Sequence, residues 1–145
     1  MSLILFDDHS WENLLPLTYT KPVSELRIGI LTIREKWEKA LSMSGSYMTQ
    51  DYLSAKFPSV IADENLLING ALLPNEDLVK AIEALPNGKA IKKNGVLLAA
   101  KIRDKIPEIY SISADEYQAS VDRVDFPWKI FSLNGQEIEA DYQIL

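Results

Sequence analysis

Hydrophobic positions along the chain follow two periods, one of continuous short runs and one of helical spacing. Leu3-Ile4-Leu5-Phe6 is an unbroken apolar run closed by Asp7-Asp8, which predicts a buried strand. After a connection carrying Pro16 and Pro22, the residues Ile33, Trp37, Ala40 and Leu41 recur on one face. Thr32 and Glu35 have capping-box spacing, in which hydroxyl and carboxylate each satisfy a free backbone N–H. The spacing predicts a helix over about 33–43, closed near Gly45.

The alternation continues downstream. Ser46-Tyr47-Met48 reads as a short second strand, and Thr49, Tyr52, Leu53, Lys56 and Phe57 as a short helix stopped by Pro58, with Tyr47 and Tyr52 as packing residues. A strand follows at 65–69. A helix then starts behind the Asn75 cap with an acidic first turn and carries Leu78, Val79, Ile82 and Leu85 on one face. Asn94-Gly95 joins runs 89–93 and 96–102 as a two-residue hairpin, either simple edge structure or a cover over a ligand site. Ser113 with Glu116 predicts a short helix to about Val121. Phe126, Trp128 and Phe131 gather around Pro127 as expected core rather than a stacking platform. Asn134 and Glu137 bracket a last helix start, with Ile138, Tyr142 and Leu145 at helical spacing. That stripe still runs at Leu145, so the sequence is expected to stop early, and Met1-Ser2 reads as part of a tag.

Strand, helix, strand, helix predicts one α/β domain over 1–145, three-layered, with a mostly parallel sheet and an appended β-hairpin. Composition agrees: 145 residues, 47% hydrophobic and 25% charged, suit one soluble globular unit with a real core. A formal net charge of −6 argues against nucleic acid and anionic membrane as partners, since phosphate is bound by clustered cations. The absence of cysteine removes disulfides and thiolate zinc sites. With neither a signal peptide nor a long apolar span, the cytoplasm is the expected location. No serine nucleophile elbow, thiol dyad, P-loop or His-rich metal site occurs, and the lone His9 is expected to be solvated.

From the first strand to Leu41 the chain resembles the opening of the sugar-1-phosphate nucleotidyltransferases, whose pattern is a strand, a Gly-rich loop ending in Thr-Arg, Pro-Leu-Thr, a Pro-Lys pair, a Gly and a helix. Pro16-Leu17-Thr18, Pro22, Gly29 and the helix from Ile33 keep that frame. The run 14–37 is more closely similar to the N-terminal region of the GlmU-like uridyltransferases. Those chains usually continue into a left-handed β-helix of hexapeptide repeats, through which a homo-oligomer would form. The resemblance implies the nucleotide-diphospho-sugar transferase fold, with a nucleoside triphosphate and a sugar 1-phosphate as partners and Mg²⁺ as the cofactor of an active member.

The positions that carry that chemistry differ here. Asp7-Asp8-His9-Ser10-Trp11-Glu12 has no glycine for close backbone approach to phosphate and holds three carboxylates. Two unit charges about 4 Å apart interact by roughly 4 kcal/mol near a protein surface, here as repulsion of phosphate. The family's Arg falls on Asn13 and its Lys on Val23. The strand ending Asn69-Gly70 is followed by Ala71, where the family's aspartate would help hold Mg²⁺. Lys21 and Arg27 are the candidate catalytic cations for phosphate, or else solvated surface residues. Asp7, Asp8, Asn13, Thr18, Asn69 and Gly70 are the candidate substrate contacts, with no residue assigned to a metal. Asp7 and Asp8 stand either as a metal or sugar-hydroxyl site at the carboxyl end of the first strand or as plain turn residues. The resemblance therefore implies either a nucleotidyltransferase or a degenerate domain that keeps the fold for packing, regulation or sugar binding.

Overall fold

A computed structural model describes residues 2–8, 10–15, 17–103 and 114–144. The expectations for His9, Pro16, Ser113 and Leu145 lie outside these residues.

Strand β1 (Ser2–Phe6) is buried at every position, as its unbroken apolar run requires. It lies between β4 (Gly45–Met48) and β5 (Glu64–Asn69), parallel to both. Beyond β5 the hairpin of β7 (Lys89–Lys93) and β8 (Val96–Arg103) joins antiparallel through β8. The edge strand β9 (Ala114–Glu116) runs parallel to β7. The order is β4-β1-β5-β8-β7-β9, in a mixed α/β fold with a mostly parallel central sheet. The chain steps from β1 to one side and then returns to the other. That reversal lies at the carboxyl ends of β1 and β5, the end at which open α/β sheets bind ligands.

Two short strands, β2 (Arg27–Ile28) and β3 (Leu31–Thr32), form a separate hairpin, and β6 (Leu72–Leu73) pairs with β10 (Asp122–Arg123). Four helices complete the described chain: α1 (Ser10–Asn13), α2 (Ile33–Leu41), α3 (Glu76–Glu83) and α4 (Pro127–Ile144). Helix α2 has the full Thr32–Glu35 capping box and ends at Ser42 in the left-handed conformation, three residues before Gly45, which instead opens β4. Asn75 caps α3 by accepting from Leu78 N. Leu3 and Leu5 on one face of β1 pack with Ile33 and Trp37 of α2 and Leu78 and Ile82 of α3. Ile4 and Phe6 on the other face pack with Leu67, Ala100 and Ile102. Trp37 also donates its indole N–H to Leu72 O at 2.8 Å, so the largest core side chain leaves no buried donor unpaired. None of the helices among the described residues is long and apolar enough to cross a membrane.

Four expectations are corrected. The stretch after Ser113 is strand β9 rather than a helix: Tyr117 N donates to Lys92 O, and the Glu116 carboxylate accepts from Asn94 N in the hairpin turn. These bonds draw the backbone onto the open edge of β7. Residues 49–57 hold a 3-10 turn, Asp51–Leu53, in place of the expected helix, with Leu53 buried and the ring of the 59% exposed Tyr52 packed edge-on against Trp11. Helix α4 begins at Pro127, a favoured first helical residue, and runs straight through Asn134-Gly135. The aromatic cluster is not core: Trp128 is 60% and Phe131 83% exposed.

Helix α4 turns polar residues inward. Asn134 Oδ1 accepts from Gly29 N, and Asp141 Oδ2 accepts from Ile30 N and Leu31 N, each at 2.9 Å. The buried Lys36 ammonium of α2 donates to both Asp141 oxygens and lies 3.2 Å from Glu137 Oε1. Gly29 has φ +75, and a Cβ there would stand 2.7 Å from the Glu137 carbonyl carbon, so only glycine fits between the β2–β3 turn and α4.

Asp141→Ala leaves Lys36 with only Glu137 and strips two buried N–H groups of their acceptor. It is expected to lower the unfolding free energy by roughly 3–5 kcal/mol in urea titrations. Glu139→Ala on the exposed side of α4 stays within about 0.5 kcal/mol.

Candidate functional site

The carboxyl ends of β1 and β5 are ordered by the residues that leave those strands. Gly70 N donates to Phe6 O at 2.7 Å and Asp7 N to Met48 O at 2.9 Å, so the three parallel strands end together. A Cβ at Gly70 would meet Phe6 O at 3.1 Å and Asp7 Oδ1 at 3.5 Å, which explains a glycine where two strand ends converge.

Asp7, Asp8, Asn69 and Gly70 are brought together here. Asp7 Oδ1 accepts from Val23 N at 3.1 Å and Oδ2 from the Thr49 hydroxyl at 2.5 Å. Asp8 Oδ1 accepts from Ser10 N at 2.8 Å, starting α1, and its Oδ2 accepts from Asn69 Nδ2 at 2.8 Å. Asn69 Nδ2 also donates to Leu97 O, and its Oδ1 accepts from Ala71 N. Each carboxylate oxygen already holds a loop. Burial pushes the Asp7 carboxyl up to about 6; the Thr49 and Val23 hydrogen bonds pull it back in part, while the Asp8 charge adds to the rise.

The other candidates are distributed differently. Thr18 is fully buried, its hydroxyl donating to Trp11 O at 2.6 Å to close the turn after α1. Asn13 is exposed at the end of α1. Lys21 is half-buried two residues before Val23, and its ammonium has no ion-pair or hydrogen-bond partner among the described residues. Arg27 sits in β2, where its guanidinium donates to Ile30 O of the same hairpin; no hydrogen bond among the described residues links it to the Asp7 group. A groove of about 440 Å³ runs between α2, α3 and α4 above Lys36, but that cation is already paired with Asp141 and Glu137.

Sequence reasoning missed Thr49, whose hydroxyl completes the hold on Asp7, and Ser24 and Trp11. The Ser24 Oγ and the Trp11 indole N–H are buried without a partner among the described residues, Ser24 lying beside Gly70. A serine directly after the family's Lys position was the one available signal. Each of the Asp7 and Asp8 oxygens accepts one N–H or O–H hydrogen bond, and Ala71, at the position of the family's aspartate, offers no side-chain oxygen to Mg²⁺. Among the described residues no three His, Cys, Asp or Glu side chains converge as a metal would need.

A family model described as sugar nucleotidyl transferase matches residues 3–145. Among solved structures the chain is similar to a Bacillus anthracis protein assigned as a glucose-1-phosphate thymidylyltransferase and crystallised with sucrose. That similarity has a TM-score of 0.56 at 11% identity and covers 96% of each chain. At such identity the likeness speaks for the fold alone. No curated protein matches by sequence. With a family match spanning almost every residue, the chain belongs to the sugar nucleotidyl transferase family.

Proposed function

We propose that the chain handles a nucleoside triphosphate and a sugar 1-phosphate at the carboxyl ends of β1 and β5, in the reaction that yields a nucleotide-sugar and pyrophosphate. A phosphate oxygen of the sugar phosphate attacks the α-phosphorus, the bond to the α–β bridging oxygen breaks, and pyrophosphate leaves with that electron pair. The observation that carries this reading is Lys21, whose ammonium has no hydrogen-bond or ion-pair partner among the described residues and which stands two residues before Val23, itself held by Asp7. A cation held on a fixed loop offsets phosphate charge as it builds on the departing group. Arg27, occupied by its own hairpin carbonyl, is the weaker of the two cations in this role. The sucrose in the Bacillus anthracis protein is consistent with sugar handling in this fold. The run 14–37 extends the proposal to kinship with the uridyltransferases that continue into a hexapeptide β-helix.

A second reading is binding without transfer. It is favoured by one observation: the acidic groups at these strand ends serve as ties between loops. Titration calorimetry with a panel of nucleoside triphosphates and sugar 1-phosphates, beside an assay of pyrophosphate release, separates the two. Micromolar binding with release supports transfer; binding alone supports the second reading; no binding of either class contradicts both. Loss of one charged hydrogen bond contributes about 1.5–3 kcal/mol, so Lys21→Ala is expected to weaken phosphate binding roughly 10–100-fold. Arg27→Ala is expected to change it far less.

The buried acid supplies a further test. Because burial raises Asp7 from 3.8 to about 6, the folded chain keeps a proton between those values that the unfolded chain has lost. The stability contributed by that proton is fully present below about pH 4 and is lost as pH rises through about 6, a change on the order of 3 kcal/mol. Asp7→Asn keeps an acceptor for Val23 N. Urea titrations across this range are expected to show the native chain losing stability relative to the variant as pH rises; parallel curves would contradict the assignment.

A further inference from the structure

Helix α4 is amphipathic the wrong way round for a helix that ends at the surface. Its inward positions carry Asn134, Glu137 and Asp141 beside the partly buried Ile130 and Leu133, while Trp128, Phe131, Ile138 and Tyr142 face water at 60%, 83%, 43% and 75% exposure. With Gly135 these positions run 128, 131, 135, 138, 142, spaced three, four, three and four. That is a heptad seam, the pattern with which one helix packs along another. Phe126 stacks on Trp128 at 4.5 Å with rings 4° apart, so one end of the seam is already ordered. A glycine in mid-helix costs stability, and a Cβ at Gly135 would meet nothing within 4 Å, so nothing in the folded chain itself requires it.

We infer that this seam is a self-association surface, on which α4 of a second copy packs antiparallel about a two-fold axis between Gln136 and Glu137. That axis sets Phe131 against Tyr142 and Gly135 against Ile138 of the other copy, pairing aromatic with aromatic and the missing side chain with a branched one. Parallel pairing would instead set Gly135 on Gly135 and leave a gap in mid-seam. Three aromatics at these exposures bring on the order of 300–500 Å² per copy. Two copies bury roughly 600–1,000 Å² from them before Ile138 and the polar flanks, the size of a weak, transient interface. Association is accordingly expected in the micromolar range.

Sedimentation equilibrium of the 145-residue chain over micromolar to millimolar concentration tests this. The expected result is a monomer–dimer equilibrium that Phe131→Glu weakens at least tenfold with an unchanged circular dichroism spectrum. Gly135→Ala is expected to raise the melting temperature in dilute solution while weakening the dimer. Should Phe131→Glu misfold, Tyr142→Glu on the other half of the seam serves in its place. The chain has no native cysteine, so orientation can be read directly: Ser132→Cys chains mixed with Glu139→Cys chains are expected to oxidise to the mixed dimer faster than either cross-links alone. A monomer at every concentration, a dimer indifferent to these substitutions, a larger closed assembly, or no preference for the mixed cross-link would each overturn the proposal.

Discussion

The Asp141 carboxylate, buried between a β-turn and a helix, joins parts of the chain more than a hundred residues apart, and the helix layer depends on how it is satisfied. Its oxygens receive two backbone N–H groups from the β2–β3 turn and the ammonium of Lys36, while Glu137 one turn earlier shares that ammonium. Taking such charges out of water costs several kcal/mol per ion, and only nearly complete hydrogen bonding offsets it. The arrangement therefore specifies one position for α4: a slide along its axis would strand a buried lysine and two amides together. Gly29 sets the depth of the contact, since a side chain there would strike the α4 backbone.

The same device recurs at the carboxyl end of β1. Asp7 draws in the loop that carries Val23 and the segment after β4, and Asp8 starts α1 and bridges to Asn69 at the end of β5. At this end of the sheet, side-chain carboxylates fix the loops. Lys21 is a cation without a partner among the described residues in the loop leading to Val23.

Much of the sheet was legible because its strands are buried on both faces and read as apolar runs. Asn94-Gly95 declared its turn through the positive φ angles both residues adopt. The Thr32–Glu35 box and the Asn75 cap named their helix starts. What misled was spacing without context. Ser113–Glu116 has capping-box spacing, yet edge pairing to β7 claims that segment. The aromatics of α4 look like core because apolar positions usually turn inward, whereas here buried ion pairs take the inner face. Lys36 was the available warning: at the third position after Ile33 and directly before Trp37, it sits on the core face of α2 and must find buried acids. Of the candidate site, the meeting of Asp7, Asp8 and Asn69 was readable from strand ends. That their oxygens hold Ser10, Val23, Thr49 and one another's loops was not, because those partners come from four separate segments.

The account stands on the claim that the acids at the end of β1 are internal ties rather than open ligands. Carbon-13 spectra of the aspartate carboxyl groups, followed while Mg²⁺ is raised to millimolar levels, test it most directly. Unmoved Asp7 and Asp8 resonances, with the Val23 and Ser10 amides still protected from exchange, are the expected outcome. A saturable shift of both carboxyl signals, accompanied by loss of that protection, would contradict it.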